Sequence, residues 1–81
     1  MKAKIHVTLK NGVLDPQGKA IESALDHMGF RDVAAARVGK YIELDLKGTS
    51  KDKAESAVKD MCEKLLANTV IEKYSIALEE K

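Results

Sequence analysis

Alternation of apolar and polar residues opens the chain and then stops abruptly. Ala3, Ile5, Val7 and Leu9 alternate with Lys4, His6, Thr8 and Lys10, the period of a strand with one buried face. Asn11-Gly12 supplies a turn that can take positive φ, and Asp15 is placed to cap a helix whose first turn is opened by Pro16. Strand, turn and helix start thus follow one another with no slack. Between turn and cap stand Val13 and Leu14. Two apolar residues at a loop tip gain nothing from water, so they either tuck back over the domain's own core or form a small hydrophobic knob offered to a partner.

Further along, Ile21, Ala24, Leu25 and Met28 share one side of the first helix at helical spacing, and Gly29 is placed to end it, leaving Phe30 free to fold back onto the last turn. From Val33 to Val38 a short, alanine-rich segment reads as extended; beyond Gly39, Ile42, Leu44 and Leu46 alternate with Tyr41, Glu43, Asp45 and Lys47. This predicts a hairpin or one long bent strand. Thr49-Ser50 starts a second helix, with Ala54, Ala57, Val58, Met61 and Leu65 as its apolar stripe and Asn68 as a left-handed stop. The final strand runs from about Val70 to Leu78, with Tyr74, Ile76 and Leu78 on one face. The predicted class is α+β in the order βαββαβ: a ferredoxin-like sandwich, with a four-stranded antiparallel sheet and two helices on one face. The opposite face would carry Lys4, His6, Thr8, Lys10, Tyr41, Glu43, Asp45, Ile71, Lys73 and Ala77, a mixed surface able to stand in water or to meet a symmetry mate.

Residues 1–81 make one domain, small enough to bury only about 60 to 65% of the surface its unfolded chain exposes. No staple compensates: one cysteine permits no internal disulfide, and two histidines far apart suggest no metal site. Association with another chain is the remaining source of burial, so a homodimer, or a tetramer built from it, is expected. The balance of 14 basic against 13 acidic residues, with lysines and acids interleaved along the second helix, argues against a nucleic-acid partner. No apolar run of signal or membrane-spanning length is present, and a lone thiol fits the cytoplasm.

Catalytic machinery is not legible, and the expected catalytic, cofactor-binding and metal-binding residues are none. Cys62 lies past the middle of the second helix with Glu63 beside it, far from the electropositive setting a nucleophilic thiol needs, and reads as a buried structural cysteine. His6 sits on the helix-free face and His27 near a helix C-terminus, where its charged form is favoured; no third group completes a triad. Glu43 and Asp45 share a strand face as a solvated pair. Gly12, Gly18 and Lys19 lack the phosphate-loop spacing, and Ala20 stands where a metal-binding hydroxyl would be. Arg37 and Lys40 flank Gly39, either as a solvated turn or as cations for acids on a partner.

The run Leu9-Lys10-Asn11-Gly12-Val13-Leu14-Asp15-Pro16-Gln17-Gly18-Lys19-Ala20 resembles the signature of the PurS family, the small subunit of phosphoribosylformylglycinamidine (FGAM) synthase. A second block, Met61 to Asn68 followed by Val70-Ile71-Glu72-Lys73-Tyr74, is similar to that family's second helix and last strand, and Gly29-Phe30 and Arg37-Val38-Gly39-Lys40 fall between the two in the expected order. Thr69 departs from the proline expected at that corner. The resemblance implies a non-catalytic subunit of a glutamine-hydrolysing, ATP-dependent ligase of de novo purine biosynthesis, bridging as a dimer the large synthetase subunit PurL and the glutaminase subunit PurQ. It implies that ATP, magnesium and glutamine are handled by those partners, with no cofactor in this subunit. Asn11, Gly12, Val13, Leu14, Asp15, Pro16, Gln17, Gly18, Arg37 and Lys40 are the expected partner interface. A small ferredoxin-like regulatory domain that binds an amino acid or nucleotide at its dimer interface is the alternative, since fold alone does not exclude it.

Overall fold

The computed structural model describes residues 1–48 and 50–80. The order is β1 (Lys2–Leu9), α1 (Pro16–His27), β2 (Gly39–Asp45), α2 (Lys51–Met61), a π-helical turn over Cys62–Leu66, and β3 (Glu72–Glu79). The sheet is antiparallel with strand order β2-β1-β3. In that register Ala3 lies between Leu44 and Leu78, and Ile5 between Ile42 and Ile76. That face is therefore apolar across these rows, as the alternation of all three strands demands, and in the next row Val7 lies between Lys40 and Tyr74.

The expected fourth strand is absent: among the described residues, 33–38 joins no ladder. Its three consecutive alanines offer little to pack on a pleated surface. Its last amide is also engaged elsewhere, since Val38 N donates to the Asp15 carboxylate at 2.8 Å, and the Ala36 carbonyl lies against Gly18.

The placement of two helices on one sheet face also needs correction. Ala3, Ile5, Val7, Val58, Cys62 and Ala67 form the buried core, with Ile42, Leu44, Leu46, Leu66, Tyr74, Ile76 and Leu78 packed around it; α1 contributes no residue. The apolar side of α1 faces solvent, with Ile21 43% and Met28 70% exposed, and Phe30 beyond it 57% exposed. The radius of gyration is 16.1 Å, against about 12 Å for a compact chain of this length. Thus α1 stands beside the two-layer core. Its last turn closes with a Schellman pair, Gly29 N to Asp26 O at 3.1 Å and Phe30 N to Leu25 O at 2.9 Å.

Ser50 caps α2 by accepting from Lys53 N at 3.4 Å, while Thr49 lies outside the described residues. The stripe on this helix runs one residue away from the expected one at its end. Ala67 N donates to Cys62 O at 3.0 Å, across five residues instead of four. That wider turn rotates the register, so Leu66 packs against the core and Leu65 is 82% exposed. Asn68 is not left-handed, since no described non-glycine residue has positive φ. It turns the chain through its side chain, whose Oδ1 accepts from Val70 N at 3.2 Å, and through its carbonyl, which accepts from the amides of Ile71 and Glu72.

On the open face of the sheet, Lys4 meets Glu79 at 2.6 Å and Lys2 meets Glu43 at 3.7 Å, while the rings of His6 and Tyr41 lie 4.7 Å apart. At the edge of the core Tyr74 donates its hydroxyl to Glu63 at 2.7 Å, which pushes the phenol up to about 12.

Cys62 is fully buried and burial pushes its thiol up, away from the reactive thiolate. Cys62→Ser is expected to lower unfolding free energy by roughly 1 to 3 kcal/mol, because a poorly paired hydroxyl replaces a packed thiol; urea melts of both proteins measure it. Gly18 in the first turn of α1 is buried, and a Cβ there would collide with the Ala36 carbonyl oxygen. Gly18→Ala, which favours an isolated helix by about 1 kcal/mol, is expected instead to destabilise this protein by about 1 to 3 kcal/mol, as overpacking does. Thermal unfolding of the variant tests the sign.

Candidate functional site

Register places three connecting segments at one end of the sheet. Thr8 lies opposite Gly39 and Leu9 opposite Glu72, so the loop 10–15, the start of β2 and the corner 67–71 all emerge there. Lys10 N donates to Ile71 O at 2.8 Å, which joins the loop to that corner.

Within the loop, Val13 N donates to Lys10 O at 3.1 Å, and Gly12 takes φ 86, a conformation that a side chain would strain. Asn11 is exposed, Val13 half-buried, and Leu14 is 69% exposed. The two apolar tip residues therefore divide: Val13 leans on the domain, and Leu14 stands out in water. Asp15 is only 4% exposed. One carboxylate oxygen accepts from Gly18 N and the other from Val38 N, each at 2.8 Å. These two amides, Val38 first, hold its carboxyl below the usual carboxylate range, with Arg37 assisting through charge. Pro16 is the first residue of α1, and Gln17 faces solvent.

Arg37 donates to Val13 O and Leu9 O at 3.2 Å and to Lys10 O at 3.1 Å, so its donors are engaged by its own chain's loop. Loop, first turn of α1 and the 35–37 stretch enclose a shallow cleft of about 310 Å³. Lys40 points toward the opposite flank, 3.5 Å from the Leu66 carbonyl and 4.0 Å from Glu72. The residues expected to form an interface thus gather at one end of the sheet, with the carboxylate of Asp15 and the guanidinium of Arg37 directed inward.

Two apolar residues of that region were missed by sequence reasoning: Val70, 81% exposed in the corner, and Leu65, 82% exposed on the π-helical turn. The signal for Val70 was present, since it sits in a turn as Val13 and Leu14 do. That for Leu65 was not, because either member of the Leu65-Leu66 pair fits a helical stripe. Among the described residues no three His, Cys, Asp or Glu side chains gather in a way that would hold a metal ion, and no helix is long and apolar enough to cross a membrane.

The family model for PurS, phosphoribosylformylglycinamidine (FGAM) synthase, matches residues 2–80. The chain is 51% identical over 79 residues to the phosphoribosylformylglycinamidine synthase subunit PurS of Bacillus subtilis, covering 98% of this chain and 93% of that one. Among solved structures it is similar to Methanocaldococcus jannaschii PurS, one of the subunits of formylglycinamide ribonucleotide amidotransferase, with a TM-score of 0.90 at 39% identity and coverage of 99% and 96%. It is also similar to a chain of PurLQS from Thermotoga maritima, with a TM-score of 0.86 at 38% identity and coverage of 94% and 93%. A match along nearly the whole chain, in sequence and in backbone, means that the protein belongs to the PurS family, the small subunit of phosphoribosylformylglycinamidine synthase in purine biosynthesis.

Proposed function

We propose that this chain is a non-catalytic bridge in FGAM synthase, holding a large ATP-dependent synthetase subunit of the PurL kind and a glutaminase of the PurQ kind in register. The observation that carries this reading is the loop 10–15: an apolar side chain, Leu14, 69% exposed, on a loop pinned from two sides by buried Asp15 and by Arg37. A rigid apolar tip is suited to docking, because little entropy is lost when it is covered. The partner surface is built from Asn11 to Gly18 with Arg37 and Lys40, in which Asp15, Gly18 and Arg37 shape the loop from within while Leu14 faces out, and it takes in Val70 as well. ATP, magnesium and glutamine are handled by the partners, in the cytoplasm. Ammonia released from glutamine is protonated or lost in water unless the two sites are held together and shielded, which is the physical need such a bridge meets. The Thermotoga maritima PurLQS structure, to one chain of which this protein is similar, supports the partner assignment.

The bridge acts as a homodimer. Ile21 on α1, with Met28 and Phe30 just past its end, stands exposed where no part of the described core covers it, and a second copy supplies the missing burial. In the dimer the unladdered 33–38 segment gains the strand partner that a ferredoxin-like, four-stranded arrangement requires.

Sedimentation at micromolar concentration is expected to give at least two chains per particle, and Met28→Glu to shift the population toward one. A single-chain species at high concentration would overturn the dimer. Leu14→Asp is expected to stay folded and dimeric by circular dichroism and sedimentation, yet to lower glutamine-dependent FGAM synthesis at fixed subunit concentration by at least about tenfold, the effect of about 1.4 kcal/mol lost from a contact. Full activity in that variant would remove the loop from the assembly surface.

A further inference from the structure

Arg37 spends its side chain on three main-chain carbonyls of one loop: Nη1 donates to Val13 O, and Nη2 to Leu9 O and Lys10 O, at 3.1 to 3.2 Å. Lys10 O also accepts from Val13 N at 3.1 Å. Carbonyl oxygens that converge on one point repel one another, and they stay together only while a cation or water sits between them. A guanidinium suits this position because its planar fork reaches separate acceptors at once, which the single ammonium of lysine does not. The acceptors lie 24 to 28 residues before Arg37, so the loop's shape is imposed by a distant part of the chain. All three bonds are exposed to solvent. Such bonds add little to global stability, whereas the choice between loop conformers rests on them.

We infer that Arg37 is a positioning residue for partner docking: it holds loop 10–15 in the one conformer that presents Leu14, and it needs no contact with the partner to do so. This rests on the reading of Leu14 as a partner contact. Loss of the clamp divides the loop among conformers, and the apparent affinity for the partners falls by the fraction that remains competent.

The test uses the full chain as wild type, Arg37→Met, Arg37→Lys and Leu14→Asp. Each is titrated into the synthetase and glutaminase subunits while glutamine-dependent synthesis is recorded, and amide exchange at Val13 is measured on each chain alone. For Arg37→Met the expected result is an unshifted melting transition, faster Val13 exchange, and a half-saturating concentration raised about tenfold, more than the plateau falls. Arg37→Lys should fall between it and wild type. If Arg37→Met does not fold, the same raised half-saturation with an unshifted melt must appear in Arg37→Lys. Wild-type half-saturation in the Arg37 variants beside a raised value in Leu14→Asp overturns the clamp and leaves the loop contact standing. Wild-type half-saturation in Leu14→Asp overturns the loop contact, and the clamp with it. Raised half-saturation in Arg37→Met with unchanged Val13 exchange means that Arg37 touches the partner directly, and it also overturns the inference.

Discussion

The Asp15 carboxylate is the point on which the outer half of the molecule depends. One oxygen caps α1 through Gly18 N, and the other takes Val38 N immediately before β2. Helix α1 has no residue in the core, so packing does not decide where it points. What decides it is this double acceptance together with the close passage of Gly18 over the Ala36 carbonyl. A carboxylate suits the role because it is an acceptor only and offers oxygens to both sides, whereas an amide side chain offers one oxygen and a donor that would face backbone amides. Both bonds are formed by the charged group, which is why the acid is held in its ionised form although almost no water reaches it.

The core itself is small and one-sided. A single helix with its π-helical turn covers one face of three strands, and among the described residues the buried apolar side chains are Ala3, Ile5, Val7, Val58, Cys62 and Ala67. Each Val or Ile among them stabilises the fold by about 1.5 to 3 kcal/mol, a modest set for ordering a chain of 81 residues. The opposite face relies on pairs such as Lys4 with Glu79, which in water contribute at most about 1 kcal/mol each. A chain built in this way has much to gain from association, and its uncovered apolar side chains lie along α1 and at the loop end of the sheet.

How far the sequence foretold this follows from the range of each interaction. The three strands, the Asp15-Pro16 start of α1 and the Ser50 cap are written in neighbouring residues and could be read directly. The alanine-rich 33–38 segment reads as extended, part of a hairpin or of one long bent strand; the hydrogen bond that engages its last amide comes from Asp15, 23 residues earlier. The periodicity of α1 showed that one side is apolar and was silent on what covers it. Leu65 was placed on the α2 stripe because a π-helical turn has no sequence signature, and one added residue per turn exchanges Leu65 for Leu66. At the candidate site the loop stood out through Val13 and Leu14, yet the part played by Arg37 was invisible. A guanidinium that serves carbonyls 24 to 28 positions away leaves no local pattern.

The bridging role proposed for this subunit sets a different task from that of an active site, and the layout suits it. An active site needs titratable groups withdrawn from water and set against one another. A bridge needs surfaces whose shape does not change when they are covered, since each side chain or loop that must be ordered on docking weakens the contact. Here the ionic chemistry is directed inward: Asp15 accepts from two amides, Arg37 donates to three carbonyls, and the residue left pointing out between them is Leu14. Charge sets the geometry of the loop, while the outward contact is apolar. The converse arrangement, with Arg37 and Asp15 turned outward toward a partner, would leave the Leu9 and Val13 carbonyls and the Gly18 and Val38 amides without these partners and the loop free to move. Such a loop would be drawn to partners by charge, but it would not hold two large subunits in fixed register.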